Sequence, residues 1–279
     1  MAVASNFYHV LEILKDQFQS RFGHTLELTF YGSSGGLKTL VSDDSEKIDL
    51  FLSADNINTA ELEQQGKVLE NSRKIYAQGL LAFWHGQNVV VEPDDIKTYI
   101  RETNPPAIYI AEPVYAPYGH AAKSVLEKYG LYQTLKDQNK LVIRRFVKTV
   151  WKLIKDSTRA GFVAASLVTK TDSNGNKIDL PVGVTLVPQR LYTPLLQELV
   201  ILKATEHEAA ARTLVDFLLS DETQEFIAAN GYKRAPVERE GSSRTLSPAV
   251  SLHKHESRFP KAVLVIVWLN TALWMLSGA

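Results

Sequence analysis

Three stretches, Ala2-Val-Ala-Ser5-Asn6, Gly32-Ser33-Ser34-Gly35-Gly36 and Ile48-Asp-Leu-Phe-Leu-Ser53-Ala-Asp55, decide how this chain folds. Each closes an apolar, strand-like run with a small polar turn, and a helix-like segment follows each. A strand that ends in Ser or Gly just before a helix leaves the first main-chain N–H groups of that helix without an intrahelical acceptor. The positive end of the helix dipole lies at the same place. Two such turns facing one another form a cleft suited to an anion, and they can hold a dianion without any arginine.

Outward from these stretches, strand-like and helix-like segments alternate, which predicts an α/β fold with parallel strands covered by helices. An amphipathic helix carries Phe7, Val10, Leu11, Leu14 and Phe18 on one face and stops near Gly23. Leu26 to Tyr31 and Ile48 to Leu52 read as strands, and Thr59 to Gln65 as a polar helix. Gly79 to Trp84 and Ile108 to Ala111 are further strands, and Gly119 to Tyr129 is a helix ended by Gly130. Val142 to Ile143, a helix from Phe146 to Lys155 and the strand Gly161 to Ala165 make a second α/β unit. Leu195 to Leu202 reads as a returning strand, with closing helices over Glu206 to Leu219 and Glu222 to Asn230.

Composition narrows the function classes. With 45% hydrophobic side chains over 279 residues the chain can bury a large core, and two compact lobes are expected. The formal net charge is zero and no run of Lys and Arg marks a phosphate-backbone track, so no nucleic acid is implied as a partner. The absence of cysteine removes disulfides, Cys-ligated zinc and cysteine nucleophiles. The seven histidines show no metal-ligand spacing, and the sequence implies no resident cofactor.

The two ends read differently from the body. Met1 leads straight into Ala-Val-Ala-Ser with neither a charged nor an apolar leader, so no export signal is expected within these residues. Ala2 to Ala4 read as the tail of a strand, and an upstream piece is expected to have been lost. Residues 239–279 form a polar tail that ends in an apolar segment, 262–276. Roughly 15–18 apolar residues sit at the lower limit for a membrane span, so membrane contact is expected only through this segment.

Five motifs in order, Ala4-Ser5-Asn6, Phe30-Tyr-Gly-Ser-Ser34-Gly-Gly-Leu37, Asp49-Leu-Phe-Leu-Ser-Ala-Asp55, Ala111-Glu-Pro-Val-Tyr-Ala-Pro-Tyr-Gly119 and Phe217-Leu-Leu-Ser…Phe226-Ile…Gly231-Tyr232, resemble the periplasmic molybdate-binding proteins of ABC importers over about residues 1–235. The resemblance implies a two-lobed periplasmic-binding-protein fold of type II, the Venus flytrap, with a mixed, mainly parallel sheet in each lobe. It places lobe 1 at 1–80 plus 192–238 and lobe 2 at 81–191. It further implies a non-enzymatic, monomeric protein that takes molybdate or tungstate into the interlobe cleft outside the cytoplasm and delivers it to an ABC transporter permease. Matched position by position, the oxyanion donors are the hydroxyl and main-chain N–H of Ser5, Asn6 as first helical donor, Ser34 in the second turn, and the main-chain N–H groups of Tyr118 and Val147. The chain departs from the resemblance at Ala164, where some members carry a tyrosine whose phenol reaches the anion. Asn6 is the expected substitute.

Taken singly, Ser5 and Asn6 are explained by helix capping, Tyr118 by a surface aromatic and Val147 by a core position. Asp49 and Asp55 are expected to hold turns and stay off the site. The rival reading comes from the glycine-serine turn, because Gly32-Ser33-Ser34-Gly35-Gly36 fits the G-x-S-x-G nucleophile elbow of a serine hydrolase using Ser34. That elbow follows several strands and needs an upstream oxyanion-hole loop, whereas one partial strand and one helix precede Ser34. A fluorophosphonate probe is expected to leave Ser34 unlabelled; stoichiometric labelling would establish an activated nucleophile instead.

Overall fold

In the computed structural model the described residues are 1–31, 38, 41–42, 47–86, 90–171, 177–178 and 180–236. The glycine-serine turn with Ser34 and the tail 239–279 with its segment 262–276 lie outside them. In chain order the elements are β1 (Ala2–Ala4), α1 (Tyr8–Phe22), β2 (Thr29–Tyr31), β3 (Leu50–Leu52), α2 (Ile57–Gln64), β4 (Lys74–Gly79), β5 (Leu81–Trp84), α3 (Ile96–Thr103) and β6 (Ile108–Ala111). They continue with α4 (Pro117–Lys128), α5 (Tyr132–Asp137), β7 (Leu141–Arg144), α6 (Val147–Ile154), β8 (Ala160–Ala164), α7 (Ala165–Val168), the small hairpin β9 (Lys170–Thr171) and β10 (Lys177–Ile178), β11 (Val184–Leu186), β12 (Leu195–Ile201), α8 (Glu208–Leu219), α9 (Asp221–Ala229) and β13 (Tyr232–Lys233).

Two larger sheets organise these elements into an α/β, two-lobed fold, one in the order β13-β4-β12-β3-β1-β2 and the other β11-β5-β8-β6-β7. Leu80 alone separates β4 of the first sheet from β5 of the second, and the chain returns between β11 and β12. Both sheets are mixed. Parallel pairing is confined to β1 with β2 and β3, and β6 with β7 and β8. The crossing strands explain why parallel pairs do not predominate as expected. The outgoing pair β4 and β5 and the returning pair β11 and β12 run in opposite senses, so β12 lies antiparallel to β4 and β11 antiparallel to β5.

Each sheet has its own core. Val10, Leu11, Leu14 and Phe18 of α1 are buried with Phe217 and Leu218 of α8 and Leu199 of β12. Phe83, Phe162, Val125, Leu126, Val150 and Ile154 form the corresponding core of the second sheet. Several elements escaped the sequence reading, among them β4, α3 and α5. Lys74–Gly79 carries Lys74 and Gln78 and lacks an unbroken apolar run, while Ile96–Thr103 and Tyr132–Asp137 are short and largely polar. Among the described residues no helix is long and apolar enough to cross a membrane.

Two buried polar groups bear on stability. Glu198 in β12 is 2% exposed and accepts from Arg73 Nη2 at 2.7 Å and Nε at 2.9 Å and from the Thr59 hydroxyl, while Arg73 Nη1 also reaches Glu63 at 2.6 Å. A buried carboxylate is tolerated only with such partners. His85 is the opposite case, for it is buried beside Phe83 and Tyr99 and neither ring nitrogen has a partner among the described residues. Burial disfavours the imidazolium and lowers its pKa. The unfolded chain, titrating near 6.5, therefore binds this proton first, and stability is lost as pH falls below about 6.5. Denaturation of wild type and His85→Phe across pH 7.5 to 5 should show wild type losing more stability than the variant. Parallel curves would show that His85 takes up its proton equally in both states.

Candidate functional site

Three helix starts meet where the chain crosses between the sheets. β1 ends at Ala4, and the turn Ser5-Asn6-Phe7, with the Phe7 N–H donating to Ala4 O at 3.0 Å, aims α1 away from the sheet end. Ser5 and Asn6 are both buried. α4 begins at Pro117, which has no N–H, so Tyr118 is its first donor. This start is pressed onto the end of β6. A Cβ on Gly119 would sit 2.5 Å from the carbonyl oxygen of Ala111, so only glycine fits. α6 begins at Val147 after the extended residue Phe146 (φ −128°, ψ 146°).

None of these three helices has a side-chain hydrogen bond at its N-cap. α9 is capped by the Ser220 hydroxyl, and the start of α2 is held by Asp55, whose carboxylate accepts from the N–H groups of Ile57 at 3.0 Å and Asn58 at 2.9 Å. Asp55 thus holds a turn, as expected, and Asp49 does likewise, accepting from Thr205 Oγ1 at 2.6 Å. At the crossing, by contrast, no described group accepts the main-chain N–H of Asn6, Tyr118 or Val147. Such donors together with the dipoles of α1, α4 and α6 give a positive potential with no formal charge. Lys148, next to Val147, places its ammonium 5.6 Å from the ring centroid of Tyr8, which brings the starts of α6 and α1 face to face.

The structure joins Asn6 to Tyr118 through Gln197 of β12. Asn6 Nδ2 donates to Gln197 Oε1 at 3.0 Å and to the Tyr232 hydroxyl at 3.1 Å, and Gln197 Nε2 donates to the Tyr118 hydroxyl at 3.0 Å. Both N–H groups of the Asn6 carboxamide are therefore taken up inside the protein, while its main-chain N–H has no acceptor among the described residues. Ala164 ends β8 fully buried, so no phenol extends from that position. Two residues on, the Ser166 hydroxyl donates to Asn6 O at 3.3 Å. Tyr118 is not a surface aromatic, since it is 2% exposed and burial holds its pKa well above the ordinary phenol value, keeping it neutral. Ser34 lies outside the described residues.

A cleft of about 1030 Å³ opens beside the start of α4. Lys38, Asp55 and Glu61 line it from the elements around the first sheet, and Glu112, Pro117 and Arg145 from those around the second. Ser5, Asn6, Tyr118 and Val147 are not on its wall; Pro117, the residue before Tyr118, is. Much of its charge is already matched, because Lys38 is paired with Glu61 and Asp55 with the start of α2. Among the described residues no cluster of His, Asp or Glu could hold a metal ion. Sequence reasoning missed Gln197, Tyr232 and Ser166, whose partners at Asn6 and Tyr118 lie 79 to 226 positions away in the chain.

The profile of the bacterial extracellular solute-binding proteins matches residues 1–233. The chain is similar to the molybdate-binding protein ModA of Rhodobacter capsulatus, 32% identical over 232 residues that cover 83% of this chain and 86% of that protein. It is equally similar to molybdate-binding ModA of Azotobacter vinelandii, at 33% over 233 residues, 83% and 88% of the two chains. In three dimensions it superposes on a periplasmic molybdate-binding protein of Azotobacter vinelandii with a TM-score of 0.75 and 27% identity, covering 84% of this chain and 98% of the other.

Proposed function

The chain belongs to the bacterial extracellular solute-binding proteins, and from that premise we propose that it captures molybdate, and tungstate with it, where the three helix starts meet, and presents the closed form to an ABC transporter permease. The observation that carries this reading is that the starts of α1, α4 and α6, from both lobes, lack side-chain caps and lie close together, α1 joined to α4 through Asn6, Gln197 and Tyr118 and α1 to α6 through Tyr8 and Lys148. Similarity to two molybdate-binding proteins over more than four fifths of the chain supports the choice of anion. The proposed donors are Ser5, the main-chain N–H groups of Asn6, Tyr118 and Val147, and Ser34 from the second turn. The protein acts in the periplasm as a monomer, and it performs no chemistry on what it binds.

Selectivity follows from the donor set. A tetrahedral dianion exchanges its hydration shell for several charge-assisted hydrogen bonds, each worth about 1.5–3 kcal/mol. Hydrogen phosphate brings a proton that needs an acceptor, and main-chain N–H groups supply none. Sulfate is smaller and leaves the same donors too far away, so discrimination is set by the number and spacing of donors. Molybdate and tungstate are nearly equal in size and charge, and both fit. Closure of the lobes follows, since only the closed form brings donors from α1 onto the same anion as those from α4 and α6.

Titration calorimetry of the full chain should give molybdate and tungstate dissociation constants below about 1 μM, unaffected by excess sulfate or phosphate. Ser5→Ala should weaken molybdate about tenfold or more through the lost hydroxyl bond. Equal competition by sulfate, or no heat with any of the four anions, would contradict the reading.

A further inference from the structure

Gln197 is fully buried in β12, the strand that returns from the second sheet to the first, and its carboxamide touches three chain segments at once. Its orientation follows from proton counting. The single proton of the Tyr232 hydroxyl is directed at the Asn6 carbonyl at 2.8 Å, so the Asn6 side chain must donate to Tyr232 and, with its second N–H, to Gln197 Oε1. Gln197 Nε2 is then left to donate to the Tyr118 hydroxyl. The Tyr76 hydroxyl lies 3.1 Å from Gln197 Oε1 and 3.0 Å from the carbonyl of Ser53, at the end of β3.

On the proposed reading of the site, we infer that Gln197 is a positioning residue: its carboxamide holds the start of α1 in one lobe in register with the start of α4 in the other, so that donors from both meet one oxyanion. The crossing strand is shaped for this contact. A Cβ at Gly79, the last residue of β4, would lie 2.7 Å from Gln197 Nε2 and against the Tyr118 hydroxyl, so any side chain there would push the carboxamide off its partners. The Ser166 hydroxyl reaches Asn6 O from α7 and gives the same turn a second tie to the other lobe. A buried amide of this kind costs free energy unless every partner is present, which makes the arrangement geometrically exacting.

Gln197→Met keeps the length and removes the polar atoms, and Tyr118→Phe removes the phenol oxygen while leaving the main-chain N–H of Tyr118. The chain contains no cysteine, so spin labels at Gln64→Cys on α2 and Thr134→Cys on α5 report the distance between the lobes without interference. In the ligand-free full chain, Gln197→Met should broaden that distance distribution. The molybdate dissociation constant should rise about tenfold in each single variant, and the double variant should be no weaker than Gln197→Met, because the bond that Tyr118→Phe removes is one that Gln197→Met has already broken. A purely structural residue would lower the melting temperature and leave the lobe distance and the affinity as in wild type. That result, or an unchanged value of either readout, overturns the inference. A wild-type protein that binds neither molybdate nor tungstate, with a broadened distribution in Gln197→Met, overturns the proposed ligand and supports the coupling.

Discussion

A set of buried polar groups holds the place where the chain crosses between its two sheets, and two of their hydrogen bonds run across the crossing. One residue, Leu80, links the sheets on the way out, and the strand β12 carries the chain back into the middle of the first sheet. Asn6, Gln197, Tyr118, Tyr232 and Ser166 are hydrogen-bonded to one another, and the bonds of Gln197 to Tyr118 and of Ser166 to Asn6 cross this seam. The rest of the architecture follows from it. The starts of α1 and α4 are held together because Asn6 and Tyr118 are fixed to one another through Gln197, and the dipoles of those helices then act together.

The same constraint separates the charges of the molecule from its functional donors. On the cleft wall Lys38 is spent on Glu61 and Asp55 on the start of α2, and Arg145 and Glu112 line it as well. At the helix starts themselves the donors are neutral: the main-chain N–H groups of Asn6, Tyr118 and Val147, without acceptors among the described residues. A site of that composition favours an ion that is acceptor-only on all its faces, and it favours it most when both lobes contribute.

Much of this was legible in the sequence where the signal is local. The apolar stripe of α1, the Pro-Tyr-Gly start of α4 and the strand over Leu195–Ile201 all appear where periodicity and turn residues place them. Local pattern failed at β4, whose Lys74 and Gln78 interrupt the apolar run although the strand lies inside the sheet, and at α3, whose polar face hides the buried pair Ile96 and Ile100. Parallel strands were expected to predominate because alternation of strand and helix says nothing about where a chain leaves a sheet and comes back. Of the site, the sequence marked Asn6 and Tyr118 by type but not what their side chains do. Gln197 sits in a strand of apolar residues, and nothing in Leu-Leu-Gln-Glu-Leu-Val announces that its partners lie in the first turn and in the opposite lobe.

The most direct test of the account is a crystal structure of the full chain grown with molybdate, with the metal located by its anomalous scattering. The account predicts the anion between the lobes, within 2.7–3.2 Å of the main-chain N–H groups of Tyr118 and Val147 and of Ser5, with no arginine or lysine head group among its ligands. An anion held instead by Lys38 or Arg145 on the cleft wall, or bound to one lobe alone, would contradict it.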